Sequence, residues 1–283
     1  MRIWLAMAAT LFVNVAFAQE QGSSPPAREL LKPPKMGQVA SPITDRFALR
    51  VTYFPPTVDT FLRLDQENGQ PGTELNAEQD LGLEEKPTMA RAEMIIRLRE
   101  RNRLRVDYFK LTRYGDQVLD QTIVFGDQTF LANERAQTMI DWRQLNLTYT
   151  RSLLYFEKFE LGAGLGIALL ETRARGEVRA RNVRESEDGV APFPTFALDA
   201  TWRFARHWSL NVRGQTFTAN TDDFDGTLSD YHGDVQYRWR KNFTFGLGYT
   251  SLKISAESTS TDDLTGKFDQ DISGPEFFIR ASF

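Results

Sequence analysis

The chain has 283 residues, of which 41% are hydrophobic and 12% aromatic, with no cysteine and a formal net charge of -4. Its mean hydropathy of -0.42 excludes a bundle of membrane helices, but it is compatible with strands that alternate apolar and polar residues. The weak net charge gives no indication of nucleic-acid binding, and the length allows one large β domain or two smaller domains.

The first 18 residues have the pattern of a Sec signal peptide. Arg2 precedes an apolar stretch over residues 3–17, and Ala16 and Ala18 form a small-x-small cleavage site. This stretch is too short for a stable membrane anchor. We therefore predict that residues 1–18 are removed on export. An exported chain without cysteine has no disulfide bonds, so packing or closed hydrogen bonding must hold it together.

Residues 19–45 are rich in proline, serine and glycine and have no apolar period. Such a segment is too poor in apolar residues to pack, which predicts a disordered periplasmic linker. A tail that binds a partner is the alternative, because low-complexity segments are also used in this way.

From residue 46 to the end of the chain, apolar residues recur at every second position. Phe47, Leu49 and Val51 share one face, for example, and in later segments charged residues occupy the opposite face. This period of two predicts about ten strands. Their expected spans are 46–66, 89–101, 103–118, 135–152, 157–175, 193–206, 207–220, 229–240, 242–256 and 272–283.

Two places interrupt this regular pattern. Pro55 and Pro56 lie inside the first span, and proline cannot donate a hydrogen bond to a strand ladder. If they form a turn, the chain has about 8 or 12 strands instead. A slip of the apolar period near Arg143 and Gln144 suggests a β-bulge.

The connections between these spans alternate in length. The tight ones are "RERNR", "LYFEKF", "FARHW" and "WRKN", and the long polar ones are 119–134, 176–192, 220–229 and 257–271. Aromatic residues such as Trp202 and Trp208 bracket the tight turns, as expected of an interfacial belt. The sequence therefore predicts an all-β fold, a transmembrane antiparallel up-and-down β-barrel, over residues 46–283.

The chain ends in a strand pattern with an aromatic last residue. Phe283 is preceded at alternate positions by Ala281, Ile279 and Phe277. This ending resembles the closing strand of bacterial outer-membrane β-barrel proteins. The resemblance implies that the four residues are a signal for the barrel-insertion machinery. It also implies a bacterial outer-membrane location, with outer-membrane lipid and lipopolysaccharide as partners and a monomeric state.

The faces opposite the apolar ones would line the lumen, and they carry charges of both signs. These residues are Arg50, Glu93, Arg97, Arg99, Arg105, Asp107, Glu160, Asp199, Arg203, Arg213, Asp230, His232, Asp234, Arg238, Glu276 and Arg280. A barrel of about ten strands is narrow enough for its side chains to fill most of the interior. We therefore expect a charge-paired, largely plugged lumen and a structural or surface-interaction role. A narrow pore for small solutes is the alternative.

A second alternative is an outer-membrane hydrolase or acyltransferase that uses His232. This histidine shares its face with Asp230 and Asp234, and a histidine oriented by a carboxylate can act as a general base. No partner serine is identifiable. The acidic segments "NTDDFDG" and "STDDLTGKFDQD" do not match the spacing of a full Ca²⁺-binding loop, so we predict neither a metal nor a cofactor.

Overall fold

A computed structural model describes residues 41–66, 70–125, 128–178, 183–220, 224–258 and 265–283. The predicted signal peptide and the linker up to residue 40 lie outside these described residues. Across the described ranges, no helix is both long and apolar enough to span a bilayer.

The described chain is built almost entirely of strands. They are β1 (Phe47–Phe54), β2 (Thr57–Leu64), β3 (Leu75–Asn76), β4 (Met89–Arg99), β5 (Asn102–Val118), β6 (Ile123–Phe125), β7 (Gln128–Phe130), β8 (Arg135–Tyr155), β9 (Phe159–Val178), β10 (Val183–Trp202), β11 (Trp208–Asn220), β12 (Phe224–Arg238), β13 (Phe243–Ser258) and β14 (Gly266–Ser282). One short helix, α1, spans Ala77–Asp80, and the side chain of Asn76 caps its N-terminus by accepting from two backbone amides.

The sheet runs in the order β1, β4, β5, β8, β9, β10, β11, β12, β13 and β14, with antiparallel neighbours, and β1 pairs with β14 to close it. Pro55 and Pro56 separate β1 from β2 without reversing the chain, because β14 pairs with β1 along one part and with β2 along the next. The two pieces therefore act as one interrupted barrel strand. The predicted ten-stranded antiparallel barrel is confirmed.

Three of the predicted long loops are largely strand. β9 extends to Val178 and β10 begins at Val183, inside the span expected to form a loop. Likewise β12 begins at Phe224 and β14 at Gly266. The polar residues of these segments pair along strand ladders in place of forming surface loops. The fourth, the connection at 119–134, contains the β6–β7 hairpin.

The bulge predicted at Arg143 and Gln144 is wrong. Both residues pair in register with β5 on one side and with β9 on the other, and the irregularity of β8 lies between Ser152 and Leu154. The period slips for another reason. Inside the barrel the side chains change there from polar to apolar, with Gln144 followed towards the loops by the buried Trp142.

The barrel thus has two halves, named here by the connections at their ends. In the turn-end half, next to the tight turns, apolar side chains face outward and polar ones inward. In the loop-end half the arrangement is reversed. β9 illustrates the change: the outward Leu165 is 60% exposed, whereas further along the same face Glu171 and Arg173 replace apolar residues.

The interior of the loop-end half is an apolar core. A first cluster fills the barrel above the polar interior, and it consists of Phe54, Val58, Met89, Phe109, Leu111, Trp142, Ala168, Leu170, Phe193, Leu228, Leu252, Ile254 and Ile272. A second cluster closes the loop end with residues of α1, the β6–β7 hairpin and their surroundings. It consists of Leu62, Leu75, Ala77, Leu81, Leu83, Leu119, Ile123, Phe130, Ala136, Ile140 and Val178.

Candidate functional site

The charged interior of the turn-end half is the candidate functional site. Most residues expected to line the lumen are buried there: Arg50, Glu93, Arg97, Arg105, Asp107, Glu160, Asp199, Arg213, Asp230, His232, Asp234, Arg238, Glu276 and Arg280. Two others lie elsewhere. Arg99 is exposed, because the pairing of β4 with β5 shifts register after Arg97. Arg203 is partly buried at a tight turn, where it donates to Glu157.

Among the described residues of the turn-end half, three buried charges were not predicted from the sequence: Arg91, Arg103 and Asp45. Arg91 lies two residues before Glu93, and Arg103 lies two residues before Arg105, so both were accessible from the period of two. Asp45 carried no such signal, because it precedes the first strand. In the structure Asp45 accepts from Arg238 at 2.6 Å and from Arg280 at 3.2 Å.

Ion pairs cross the lumen between strands that are not neighbours. Arg213 of β11 donates to Glu93 of β4, and four strands separate these two in either direction around the ring. Arg91 of β4 donates to Asp230 of β12 at 3.0 Å and to Asp107 of β5 at 2.7 Å. The pairs of Arg213 with Glu93 and of Arg91 with Asp230 connect opposite walls of the barrel, whereas that of Arg91 with Asp107 joins neighbouring strands. They are charge-assisted hydrogen bonds, which are stronger than neutral ones.

A second set of pairs lies nearer the tight turns. Arg97 donates to both carboxylate oxygens of Glu160, at 3.0 and 2.9 Å, and Arg103 donates to Asp199. Gly162 of β9 leaves the room for the latter pair, because a Cβ there would lie 2.5 Å from Asp199 Oδ1. Gly162 faces the lumen inside β9, where a larger residue would collide with this ion pair.

The segment just before β1 lies in the mouth of the barrel at the turn end. Thr44 and Asp45 both donate backbone hydrogen bonds to Ser41, which closes a turn, and Ile43 is 0% exposed. The ion pairs of Asp45 connect this turn to β12 and β14. Residues 41–45, predicted from the sequence to belong to a disordered linker, thus form a turn that contacts the barrel.

His232 lies in the middle of the lumen and is only 3% exposed. Its Nδ1 is 2.7 Å from the hydroxyl of Thr250, which itself donates to Glu276 at 2.8 Å. Its Nε2 lies 2.9 Å from Arg91 Nη1 and 2.7 Å from Asp230 Oδ1.

The hydrolase alternative required His232 at the outer rim, with a carboxylate and a hydroxyl within reach. A carboxylate and a hydroxyl are near, but Asp230 is already paired with Arg91, and Thr250 is engaged by Glu276. Asp234 shares the inner face and pairs with Arg50 at 2.8 Å. The first apolar cluster separates the histidine from the loop end. This arrangement suits a structural hydrogen-bond network better than a site open to substrate.

The residues expected to carry the insertion signal lie on the outer face of β14. Phe277, Ile279 and Phe283 are exposed, and Ala281 is partly so. Phe283 also closes the barrel through its backbone, since it donates to the carbonyl of Phe47 at 2.8 Å and accepts from the amide of the same residue at 3.1 Å. These side chains would contact lipid hydrocarbon in a membrane.

The acidic segments contribute no metal site within the described ranges. No group of three or more histidine, aspartate or glutamate residues there could hold an ion. Asp269 and Asp271 lie on β14 and pair with Lys267 and Lys253. Asp222, Asp223, Asp262 and Asp263 fall outside the described residues.

No family model and no curated protein matches this chain in sequence. Among solved structures, the outer membrane protease OmpT from Escherichia coli is 10% identical, with a TM-score of 0.52, covering 84% of this chain and 96% of OmpT. The transport unit of the autotransporter AIDA-I from Escherichia coli is 9% identical, with a TM-score of 0.43, covering 99% of this chain and 97% of that unit.

The attachment invasion locus protein Ail of Yersinia pestis is 9% identical, with a TM-score of 0.35, covering 82% of this chain and 99% of Ail. At these identities a likeness concerns the fold alone, and the similarity to OmpT is the one that supports it. The closed antiparallel sheet and the outward apolar band agree with that fold. The chain thus has the fold of a closed ten-stranded antiparallel β-barrel, and in this fold it is similar to the outer membrane protease OmpT.

Proposed function

We propose that this outer-membrane barrel has a sealed lumen and a structural or surface-interaction role. The observation that carries the proposal is that side chains from opposite walls touch in successive layers of the interior. In the turn-end half these contacts include the pair of Arg213 with Glu93. In the loop-end half the rings of Trp142 and Phe268 stack with centroids 5.5 Å apart, although three strands separate β8 from β14 on the shorter path.

Permeation would require these layers to open. Separating Arg91 from Asp107 or Asp230 would leave charges unpaired in a poorly solvated interior, and breaking a buried pair typically costs about 3–5 kcal/mol. Opening the loop-end half would expose its apolar core to water, which is also unfavourable. Both terms favour a closed lumen over a narrow pore for small solutes.

A sealed interior leaves the outside of the barrel to interact with other molecules. The outward apolar band of the turn-end half suits outer-membrane lipid. The polar strands above it, together with α1 and the β6–β7 hairpin, suit contacts with lipopolysaccharide or with partners beyond the membrane. Their pairing into long ladders supports a rigid projecting surface.

The test is single-channel conductance of the refolded mature protein in planar bilayers. Heat-modifiable migration in gels first establishes that the barrel is folded. We expect a folded protein without steady openings. Steady openings that change in Arg97→Ala or Arg213→Ala would overturn the proposal and identify these arginines as part of a conducting path.

A further inference from the structure

A small enclosed cavity lies within the charged interior of the turn-end half. Its volume is about 20 Å³, which is enough for one or two particles of the size of water. Two carboxylates, of Asp45 and Glu93, border the cavity. Six guanidinium groups also border it, those of Arg50, Arg97, Arg103, Arg105, Arg213 and Arg280. Positive groups therefore predominate on its surface.

Five of these arginines are held by carboxylates. Arg50 donates to Asp234 and Glu276, Arg213 to Glu93, and Arg280 to Asp45. Arg97 and Arg103 contact Glu160, at 2.9 and 3.5 Å. Each of these guanidinium groups thus has a partner of opposite charge. Their remaining donors can face the cavity without leaving an unpaired charge.

Arg105 differs from these five. It is 8% exposed, and among the residues that the structure describes it makes no hydrogen bond. Its nearest carboxylate oxygen, Glu93 Oε2, is 3.9 Å from Nε and already accepts from Arg213. A buried guanidinium without a hydrogen-bond partner is unfavourable, and Arg105 borders the cavity.

We propose that this cavity binds one small inorganic anion, of the size of chloride, through Arg105. The anion would accept hydrogen bonds from the Arg105 guanidinium and from free donors of the neighbouring arginines. It would supply the hydrogen bond that no carboxylate makes with Arg105. The size of the cavity excludes bulky organic anions, and the apolar core above it separates a bound ion from the loop end. The ion would therefore be a structural part of the sealed lumen.

The first experiment measures thermal unfolding of the folded barrel in detergent while chloride replaces gluconate at constant ionic strength. Because a ligand that binds only the folded state stabilises it, the wild-type midpoint should rise and saturate with chloride. In Arg105→Gln this dependence should be lost, or its half-saturation concentration should rise by about tenfold or more. Arg99→Gln is the matched control, since it removes an exposed arginine from the same barrel and should respond like the wild type.

The two variants also separate ion binding from a general salt effect. Without chloride, Arg105→Gln should unfold at a higher temperature than the wild type, because a buried charge without a hydrogen bond is gone. With saturating chloride this advantage should shrink or reverse. An identical chloride response in the wild type and both variants would overturn the proposal.

A second measurement needs no variant, in case Arg105→Gln does not fold. Crystals of the wild type grown in bromide should give an anomalous peak in the cavity, next to the Arg105 guanidinium. Cavity density without an anomalous signal would identify water as the occupant and overturn the proposal. A conducting barrel would contradict the proposed sealed lumen, but it would not by itself remove this peak, so the two proposals fail separately.

Discussion

The two halves of this barrel solve opposite solvation problems with the same ten strands. In the turn-end half the outside is apolar, so the inside must satisfy polar groups with one another, and it does so with ion pairs across the lumen. In the loop-end half the outside is polar and the inside is an apolar core, as in a water-soluble barrel. The position at which the two arrangements meet marks the limit of the outward apolar band.

β9 gives the height of the membrane band. Its outward apolar residues run over 159–169, which corresponds to the roughly 9–11 residues that a tilted strand needs to cross the hydrocarbon. The rest of β9, up to Val178, carries charged residues on that face. The part of β9 beyond this band therefore belongs to the loop-end half.

The largest difference between the halves should come from removing a tryptophan from each. Trp142→Ala creates a cavity in the apolar core, and we expect it to lower the free energy of unfolding by about 3–5 kcal/mol. Trp239→Ala removes an exposed outward ring at the turn end, and its loss should be clearly smaller. Denaturant unfolding of both variants in the same lipid measures the difference. Equal losses would contradict an apolar core in the loop-end half.

A charged residue introduced on the outer face should locate the boundary between the outward apolar band and the polar outer surface beyond it. Leu165→Arg places a guanidinium in the lipid-facing band, and we expect a loss of about 2–4 kcal/mol. Asn220→Arg makes the same kind of change on the exposed face at the loop end of β11, where the loss should be within about 0.5 kcal/mol. Unfolding in phospholipid vesicles compares the two. A similar cost at both positions would place the boundary elsewhere.

The smallest effect should come from the hydrogen bonds of the polar interior. Thr250→Val removes the hydroxyl between His232 and Glu276 and leaves buried polar atoms without that partner, so we expect a loss of about 1–3 kcal/mol. Thr218→Val, on the exposed face of β11, is the control and should be nearly neutral. If both variants unfold alike, the histidine network contributes nothing measurable.

The strands of this barrel were predictable because their apolar period is strong. Alternation fixes which residues share a face, and an apolar outside then follows for the turn-end half. The exchange of the apolar and polar faces between the turn-end half and the loop-end half was not predictable in the same way. An apolar residue at every second position distinguishes the two faces of a strand, but it does not show which face points inward. In β8 the apolar residues move from the outer face at Leu145 to the inner face at Trp142, and this change looked like a bulge.

The candidate site was predictable in composition and less so in position. Glu93, Arg213 and their partners were expected inside, but the height of His232 depends on how ten strands are staggered, which no local pattern records. Asp45 was missed because its contacts, with Arg238 and Arg280, are made with strands near the other end of the chain. Such long-range pairs carry no signal in the segment itself.

The contacts of Asp45 have a consequence for assembly. The residue lies before the first strand, yet its two partners come from β12 and from β14, which is the last strand. The turn at residues 41–45 can therefore dock in this way only after the C-terminal strand has met β1 and the seam is shut. This turn therefore reaches its final place after the strands that surround it, and its docking marks a closed barrel.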